Sequence, residues 1–187
     1  MTRHLPLDEI QTGLASIREA PRDSGRLELV VRRPAVNARE LLDTGTLDVV
    51  QGLVGDTWKD RGSSRTSDNT PHPDMQLTLM GVRVISLLAG ERSRWPLAGD
   101  QLFVDFDLSA ANLPAGTRLA IGHAVVEVTA QPHTGCGKFV ERFGVDAMKF
   151  VNSPEGRALN LRGINARVVT TGDVRVGDHV RKIRSSD

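Results

Sequence analysis

The chain has 187 residues, a formal net charge of +1 and an aromatic content of 4%. This length fits one domain, and the near-neutral charge argues against a nucleic-acid-binding protein, which normally carries a clear basic excess. The chain contains no membrane-length apolar run, no signal-peptide core and only one cysteine, so an intrachain disulfide is excluded. We therefore expect a cytoplasmic protein that binds neither nucleic acid nor membrane.

The first predicted element is an amphipathic helix over residues 7–19, where apolar residues recur at helical spacing. At Gly25 the apolar period changes to two, which predicts a strand that stops at Pro34. Further strands, most of them separated by turn residues, are predicted at residues 47–50, 76–80, 102–108, 117–121, 124–129, 164–170 and 179–183. Many short strands predict a mainly β fold, a closed or partly open β-barrel over residues 25–187, preceded by a helical extension at residues 1–24.

Helical segments interrupt the predicted strands at residues 81–90 and 138–149, and Gly144 is expected to break the second one. A shorter helix is predicted at Ser153-Pro154-Glu155, with Ser as N-cap and Pro at the first helical position. Residues 55–76 are polar and predict a long loop, which in a compact domain is either functional or disordered. Within this loop, the residues with the composition of an anion-binding segment are Arg61, Ser63, Ser64 and Arg65.

Cys136, the only cysteine, lies in the turn Pro132-His133-Thr134-Gly135-Cys136-Gly137-Lys138. The flanking glycines would let a partner approach the sulfur, and Lys138 and His133 are candidate cations that would favour its thiolate. The helix predicted directly after the turn would add its unpaired N–H groups. A lone cysteine equally fits a small buried apolar residue, so the local sequence leaves a reactive and an inert thiol open.

Arginine accounts for all but four of the 24 cationic side chains, and its planar guanidinium matches phosphate or carboxylate. Arg162 precedes Gly163 in a predicted turn, a favourable place for an anion contact. Arg167 is a further candidate, but it alternates with Ala166 and Val168 along a predicted strand and equally fits an outward-facing position in solvent.

A series of short motifs follows in chain order: Gly52-Leu53-Val54-Gly55-Asp56-Thr57-Trp58, Gln76-Leu77-Thr78-Leu79-Met80, the region from Leu102, Ala120-Ile121-Gly122, Val126-Glu127-Val128-Thr129, the Cys136 turn, Leu161-Arg162-Gly163-Ile164-Asn165-Ala166-Arg167-Val168 and Val176-Gly177-Asp178-His179-Val180. In this order the motifs resemble the MOSC domain family, named after the C-terminal domain of molybdenum cofactor sulfurase. The resemblance spans roughly residues 25–183. Two segments differ from the common family pattern: Gly135-Cys136 stands where Pro-Cys is frequent, and Gly99-Asp100-Gln101 stands where a Gly-Glu-Asn-like segment is frequent.

The resemblance implies a stand-alone protein of molybdenum cofactor or sulfur chemistry, in which Cys136 carries a persulfide or ligates molybdenum. The implied cofactor is molybdopterin. Pyridoxal phosphate is not expected, because the chain leaves no room for a desulfurase domain, so a sulfur-donating desulfurase or a redox partner is the expected protein partner. The residues implied to contact the cofactor are His133, Thr134, Lys138, Arg142, Arg162, Asn165, Arg61 and Arg65.

Enzymatic activity stays open at this point, as either a sulfur transferase or a component of a molybdenum-dependent oxidoreductase. One alternative is a non-catalytic module that binds a pterin cofactor or a sulfur carrier. A second alternative is a metal-binding or redox-sensing barrel, in which His133 and Cys136 join His123 or His179.

Overall fold

The computed structural model describes residues 4–63 and 65–184. Its first strand is formed by a segment in which apolar residues alternate with others. The strands of this part of the chain are β1 Ser24–Arg32, β2 Glu40–Leu42, β3 Thr44–Asp48, β4 Gly52–Leu53, β5 Leu77–Gly81, β6 Leu102–Asp105, β7 Arg118–Ile121, β8 Ala124–Val128, β9 Ile164–Thr170, β10 Gly172–Arg175 and β11 His179–Ile183. The α-helices are α1 Leu7–Gln11, α2 Leu14–Arg18, α3 Val82–Ala89, α4 Gly137–Phe143, α5 Val145–Asn152 and α6 Pro154–Ala158. Short 3-10 helices cover Thr57–Asp60, Pro73–Met75 and Arg92–Ala98.

Seven strands close into a barrel in the order β1, β6, β5, β9, β8, β7 and β11, and β11 pairs back onto β1. Strands β5 and β6 run parallel, whereas the other neighbours in the ring are antiparallel. Strand β2 extends one end of β1, and β10, β3 and β4 form a separate three-stranded sheet. The mainly β, closed-barrel fold predicted from the strand signals is confirmed.

Strand β1 contributes to two apolar layers, and its register with β6 shifts between Leu27 and Leu29. Leu27 and Val30 lie in the barrel interior, while Leu29 and Val31 belong to the layer between the barrel and the helices. A simple period of two would have placed Leu27 and Leu29 on the same face. The bulge therefore reverses which alternate residues of β1 face the barrel interior.

The helices pack over the outside of the barrel in a second apolar cluster. Phe139 of α4 and Phe143 at its end pack in a tilted arrangement, with ring centroids 4.8 Å apart. Gly144, with φ of +93°, separates α4 from α5, so the predicted break is confirmed. The single helix predicted over residues 7–19 is wrong: α1 and α2 are separated at Thr12-Gly13, where Gly13 lies against the Leu87 side chain.

The loop predicted over residues 55–76 contains two 3-10 helices, and Ser64 lies outside the described residues. The short strands β2, β4 and β10 were not predicted. The division of the chain between residues 24 and 25 stays a prediction. Among the residues that the structure describes, no helix is long and apolar enough to cross a membrane.

Candidate functional site

A cavity of about 340 Å³ opens beside Cys136 at one end of the barrel. We call it the cysteine cavity. Its walls come from the loop after β1, the ends of two 3-10 helices, the turn that contains Cys136, helix α4 and the turn before β9. Cys136 is exposed and directly precedes α4, so its sulfur lies where a ligand in the cavity and solvent both have access.

Asn152, at the end of α5, fixes the backbone next to Cys136. Its Oδ1 accepts a hydrogen bond from Gly135 N (2.9 Å), and its Nδ2 donates to Gly135 O (3.1 Å). A Cβ at Gly135 would lie 3.2 Å from Val151 and 3.3 Å from Met148, so glycine permits this close approach of the turn to α5. The position of the thiol is therefore set by a helix that follows it in sequence.

Six cationic side chains line the cysteine cavity: Arg33, Arg39, Arg61, Lys138, Arg142 and Arg162. Two of them form ion pairs with buried carboxylates, Arg33 with Asp56 and Arg162 with Asp100. The other four form no ion pair with any carboxylate of residues 4–63 and 65–184. Because six positive charges lie beside only two carboxylates, Asp56 and Asp100, an anionic ligand would be stabilised in this cavity.

The Arg33–Asp56 pair is bidentate and buried. Arg33 Nε donates to Asp56 Oδ1 (2.8 Å) and Nη2 donates to Oδ2 (2.6 Å), while the backbone N–H groups of Arg33 and Trp58 also donate to this carboxylate. Burial alone would raise the pKa of Asp56, but the hydrogen bonds and charge of Arg33 outweigh it and lower the pKa below its usual value. The pair fixes the loop after β1 against the 3-10 helix that follows β4.

A second buried pair lies deeper. Arg162 Nη1 donates to Asp100 Oδ2 (2.7 Å), Arg162 Nη2 donates to the Ala98 carbonyl (3.0 Å), and the guanidinium lies 5.0 Å from the centre of the Phe139 ring. His133 Nδ1 is 3.6 Å from the other oxygen of Asp100. Burial, followed by the charge of Arg162, lowers the pKa of His133 to about 3, so this histidine is neutral at physiological pH. The prediction that His133 supplies a cation beside the thiol is therefore wrong.

Arg39, Arg61 and Arg142 are the arginines of the cavity without a carboxylate partner among the described residues, and the pKa values of Arg39 and Arg61 are lowered. Burial lowers the pKa of Arg39, and the charges of Arg142 and Arg33 lower it further. The pKa of Arg61 is lowered by burial and then by Arg33. Arg39 and Arg142 donate to carbonyl oxygens, those of Ala38, Pro96 and Leu97, which hold their forks at the cavity wall without neutralising them. Guanidinium groups held in this way suit a phosphate, which accepts hydrogen bonds from planar forks.

A second cavity of about 300 Å³ adjoins the first, and we call it the Trp58 cavity. The two cavities share the lining residues Arg33, Arg61, Thr78 and His133. Asn165 in its wall is fully buried: its Nδ2 donates to the Gln131 carbonyl (3.1 Å), whereas its Oδ1 has no partner among the described residues. The indole Nε1 of Trp58 is likewise buried and unpaired.

The structure brings most of the predicted site residues together. Arg61, His133, Cys136, Lys138, Arg142 and Arg162 line the cysteine cavity, and Asn165 lines the Trp58 cavity. Thr134 and Arg65 are exposed and line neither cavity; Arg65 Nη1 donates to Gln131 Oε1 (3.3 Å). Arg167 lies on the outer face of the barrel and pairs with Asp74 and Glu127, as expected for the solvent-facing alternative.

Several residues of the site were not predicted, namely Arg33, Arg39, Asp56, Asp100 and Asn152. Asp56 and Asp100 each follow a glycine with positive φ, at the sharp turns Gly55-Asp56 and Gly99-Asp100. An acidic residue directly after a turn glycine is a signal that the sequence does contain, and it could have suggested Asp56 and Asp100 as partners of the arginines. Arg39 and Asn152 carry no comparable local signal.

The alternative metal site is not formed by the residues proposed for it. Residues 4–63 and 65–184 hold no group of three or more His, Cys, Asp or Glu side chains that could bind a metal ion. His123 and His179 line a separate cavity with Asp178, and neither lines a cavity with Cys136.

The fold and this site together define a closed, mixed β-barrel with an exposed cysteine beside a cationic cavity. Residues 87–181, just over half of the chain, match the model of the MOSC domain. The chain belongs to the MOSC domain family, so the resemblance inferred from the sequence is confirmed. No curated protein matches the sequence significantly.

Solved structures share this fold. The YUAD protein from Bacillus subtilis is 18% identical, with 86% of this chain and 97% of that chain covered and a TM-score of 0.59. YiiM from Escherichia coli is 20% identical, with coverages of 87% and 72% and a TM-score of 0.55. YiiM from Geobacillus stearothermophilus is 12% identical, with coverages of 86% and 73% and a TM-score of 0.52. At these identities the similarity shows the fold alone.

Proposed function

We propose that the chain binds the molybdenum cofactor in the cysteine cavity, with Cys136 as the sulfur ligand of molybdenum. The observation that carries this proposal is the exposed thiol on the wall of a cavity in which four cationic side chains lack a carboxylate partner among the described residues. Thiolate sulfur is a soft ligand that suits molybdenum, and guanidinium forks suit the phosphate of the cofactor. The donor set therefore fits both ends of this cofactor.

Each lining residue then has a defined task. Arg39 and Arg142, whose forks are oriented by backbone carbonyls, bind the phosphate, and Lys138 adds a third positive charge. Asn152 positions the turn of Cys136 through the backbone of Gly135. When bound, the cofactor would supply redox or sulfur-transfer chemistry. Neutral His133, beside Asp100, adds no charge of its own to the cavity.

The test is cofactor content. The full chain is expressed in a host that makes the molybdenum cofactor, and metal is measured by mass spectrometry and pterin by fluorescence after oxidation. The wild type is expected to carry both, Arg39→Ala and Arg142→Ala to lose most of the pterin, and Cys136→Ser to lose molybdenum. Arg157→Ala is the matched control, because Arg157 is exposed and lines neither cavity.

The outcomes separate this proposal from the binding-module alternative. A wild type without molybdenum or pterin after expression in this host contradicts the proposed function. Full molybdenum and pterin in Cys136→Ser would leave a cofactor-binding module in which the thiol is not a ligand. Pterin loss in Arg157→Ala equal to that in Arg39→Ala would show that the cavity charges are not specific.

A second candidate is sulfur carriage by Cys136, which its exposure favours because a donor protein must reach the sulfur directly. The Cys136 thiolate would attack the outer sulfur of a donor persulfide, so that a new S–S bond forms, the donor S–S bond breaks and the donor thiolate leaves. Incubation with a persulfide donor should then add the mass of one sulfur atom to the wild type and none to Cys136→Ser. Sulfur addition without any molybdenum would favour this candidate over the first.

A further inference from the structure

Strand β2 ends the eight-stranded sheet, and only one of its two edges is paired within the described part of the chain. On the paired edge, Leu41 lies opposite Val31 of β1, which belongs to the apolar layer between the barrel and the helices. Leu41 therefore continues that layer beyond β1, but 60% of its surface is exposed. An unpaired strand edge presents backbone N–H and C=O groups that can pair with a strand of another chain.

Further apolar side chains are exposed beside this edge. Val36, in the loop between β1 and β2, is 80% exposed, and Leu97, in the 3-10 helix Arg92–Ala98, is 37% exposed. Arg39 Nε donates to the Pro96 carbonyl (3.1 Å), so the segment before β2 lies against this 3-10 helix. Exposed apolar residues grouped along an unpaired edge indicate a surface for protein–protein contact.

The charges that flank β2 are complementary to one another. When Arg39-Glu40-Leu41-Leu42-Asp43 pairs antiparallel with a second copy of the same segment, centred on Leu41, each Arg39 lies opposite an Asp43. Asp43 is exposed and forms no ion pair with any residue in the ranges 4–63 and 65–184. Arg39 uses Nε and Nη1 for carbonyl oxygens, and its Nη2 has no partner among these residues. Opposite charges would meet on both sides of Leu41, which favours a second copy over an unrelated strand.

We propose that two copies of the chain associate through antiparallel pairing of their β2 edges, with the two Leu41 side chains at the twofold axis and an Arg39–Asp43 ion pair on either side of it. The paired segment is short, so the interface is small, below about 1,200 Å², and the dimer is weak and reversible. Because Arg39 also lines the cysteine cavity, Asp43 of the second copy would lie at the rim of that site. The inference goes beyond the proposed function and does not depend on it.

The test is sedimentation velocity of the full chain from about 1 μM to about 1 mM, the affinity range of a small interface. The wild type is expected to change from monomer to dimer over this range. Asp43→Arg and Arg39→Asp each place like charges opposite one another at two symmetric positions, so each should weaken dimerisation at least about tenfold. The double variant Arg39→Asp/Asp43→Arg restores opposite charges at both positions and should dimerise within about threefold of the wild type.

Leu41→Lys tests the contact at the twofold axis, where it would place two lysines against each other. It should weaken dimerisation at least about tenfold. Val50→Lys is the matched control, because Val50 is 63% exposed but lies in the turn between β3 and β4, at the far end of β3 from Asp43. It should dimerise as the wild type does. Thermal unfolding checks every variant, and the exposed Asp43→Arg keeps the test decisive if Leu41→Lys does not fold.

Three results would overturn the inference. A wild type that stays monomeric at every concentration would leave the β2 edge to a segment of another protein. A double variant that dimerises no better than Asp43→Arg would refute the pairing of Arg39 with Asp43, and Leu41→Lys dimerising as Val50→Lys does would refute the contact at the axis. None of these results depends on molybdenum or pterin content, so the proposed function and this inference can fail separately.

Discussion

Replacement of Asp56 by Asn should destabilise the protein strongly, because it removes the carboxylate that neutralises the largely buried Arg33. Only 12% of the Arg33 side chain and none of the Asp56 side chain is exposed. Breaking a buried pair by removing one partner costs about 3–5 kcal/mol, since the other charge stays desolvated. With a urea m-value of about 2 kcal/mol per molar, the unfolding midpoint should fall by roughly 1.5–2.5 M. The assay is urea unfolding at pH 7.

The pH dependence of this effect has a defined sign. The pKa of Asp56 is lowered in the folded state, so its contribution is fully present above the unfolded value of 3.8 and is lost as pH falls through the folded pKa. The stability gap between wild type and Asp56→Asn should therefore be constant from pH 7 to 5 and should narrow below that. Glu155→Gln is the control: it removes a surface pair with Arg18, both side chains about half exposed, and should cost at most about 1 kcal/mol. An Asp56→Asn variant as stable as Glu155→Gln would refute the reasoning.

Three further predictions concern the site and its supports. The pKa of His133 is lowered to about 3 in the folded protein, so the wild type should lose about 2 kcal/mol of stability as the pH falls from 7 to 5, because the unfolded state takes up a proton that the folded state does not. The variant His133→Gln should not show this loss. Urea unfolding at pH 7 and at pH 5 measures it, and an equal loss of stability in the two proteins would contradict the prediction. Asn152→Ala removes both hydrogen bonds to Gly135 and should lower Tm by about 3–6 °C and speed alkylation of the adjacent cysteine, whereas an unchanged alkylation rate would argue against its positioning role. Gly163→Ala should lower the free energy of unfolding by at least about 3 kcal/mol, because φ of Gly163 is +99° and a Cβ would overlap a carbonyl oxygen of β5. Gly177→Ala is the control: φ of Gly177 is +95° but a Cβ there would meet no neighbouring atom, so the loss should be about 1 kcal/mol. Similar Tm values for the two variants would rule out the overlap.

Much of the barrel was predictable from local sequence. Strands β9 and β11 were predicted to the residue: the apolar residues Ile164, Ala166 and Val168 alternate along β9, and the turn Gly177-Asp178 marks the start of β11. Strands β2, β4 and β10 have only two to four residues and show no repeated alternation of apolar and polar side chains. Their positions are set by pairing with β1 and β3, which is a long-range property.

The site divides in the same way. Cys136 stands out locally because glycines and a lysine surround it, and Arg162 because it precedes a turn glycine. Arg33 and Asp56 are separated by 23 residues, so their ion pair is created by the fold and leaves no local pattern. The two hydrogen bonds between the Asn152 side chain and the Gly135 backbone join residues 17 positions apart. They form because α5 turns back towards the cysteine turn after the break at Gly144. Sequence therefore indicates where chemistry is concentrated, but not which side chains hold it in place.

The closure of the barrel between β1 and β11 has a consequence for how the protein forms. These strands are separated by most of the chain, and contacts between distant residues form slowly because a long loop must be ordered first. During synthesis, β1 can pair with β2 early, but the ring cannot be completed until β11 has left the ribosome. Until then β1 and β7 each present an unpaired edge, so the nascent barrel would depend on protection from aggregation longer than a helical protein of the same length.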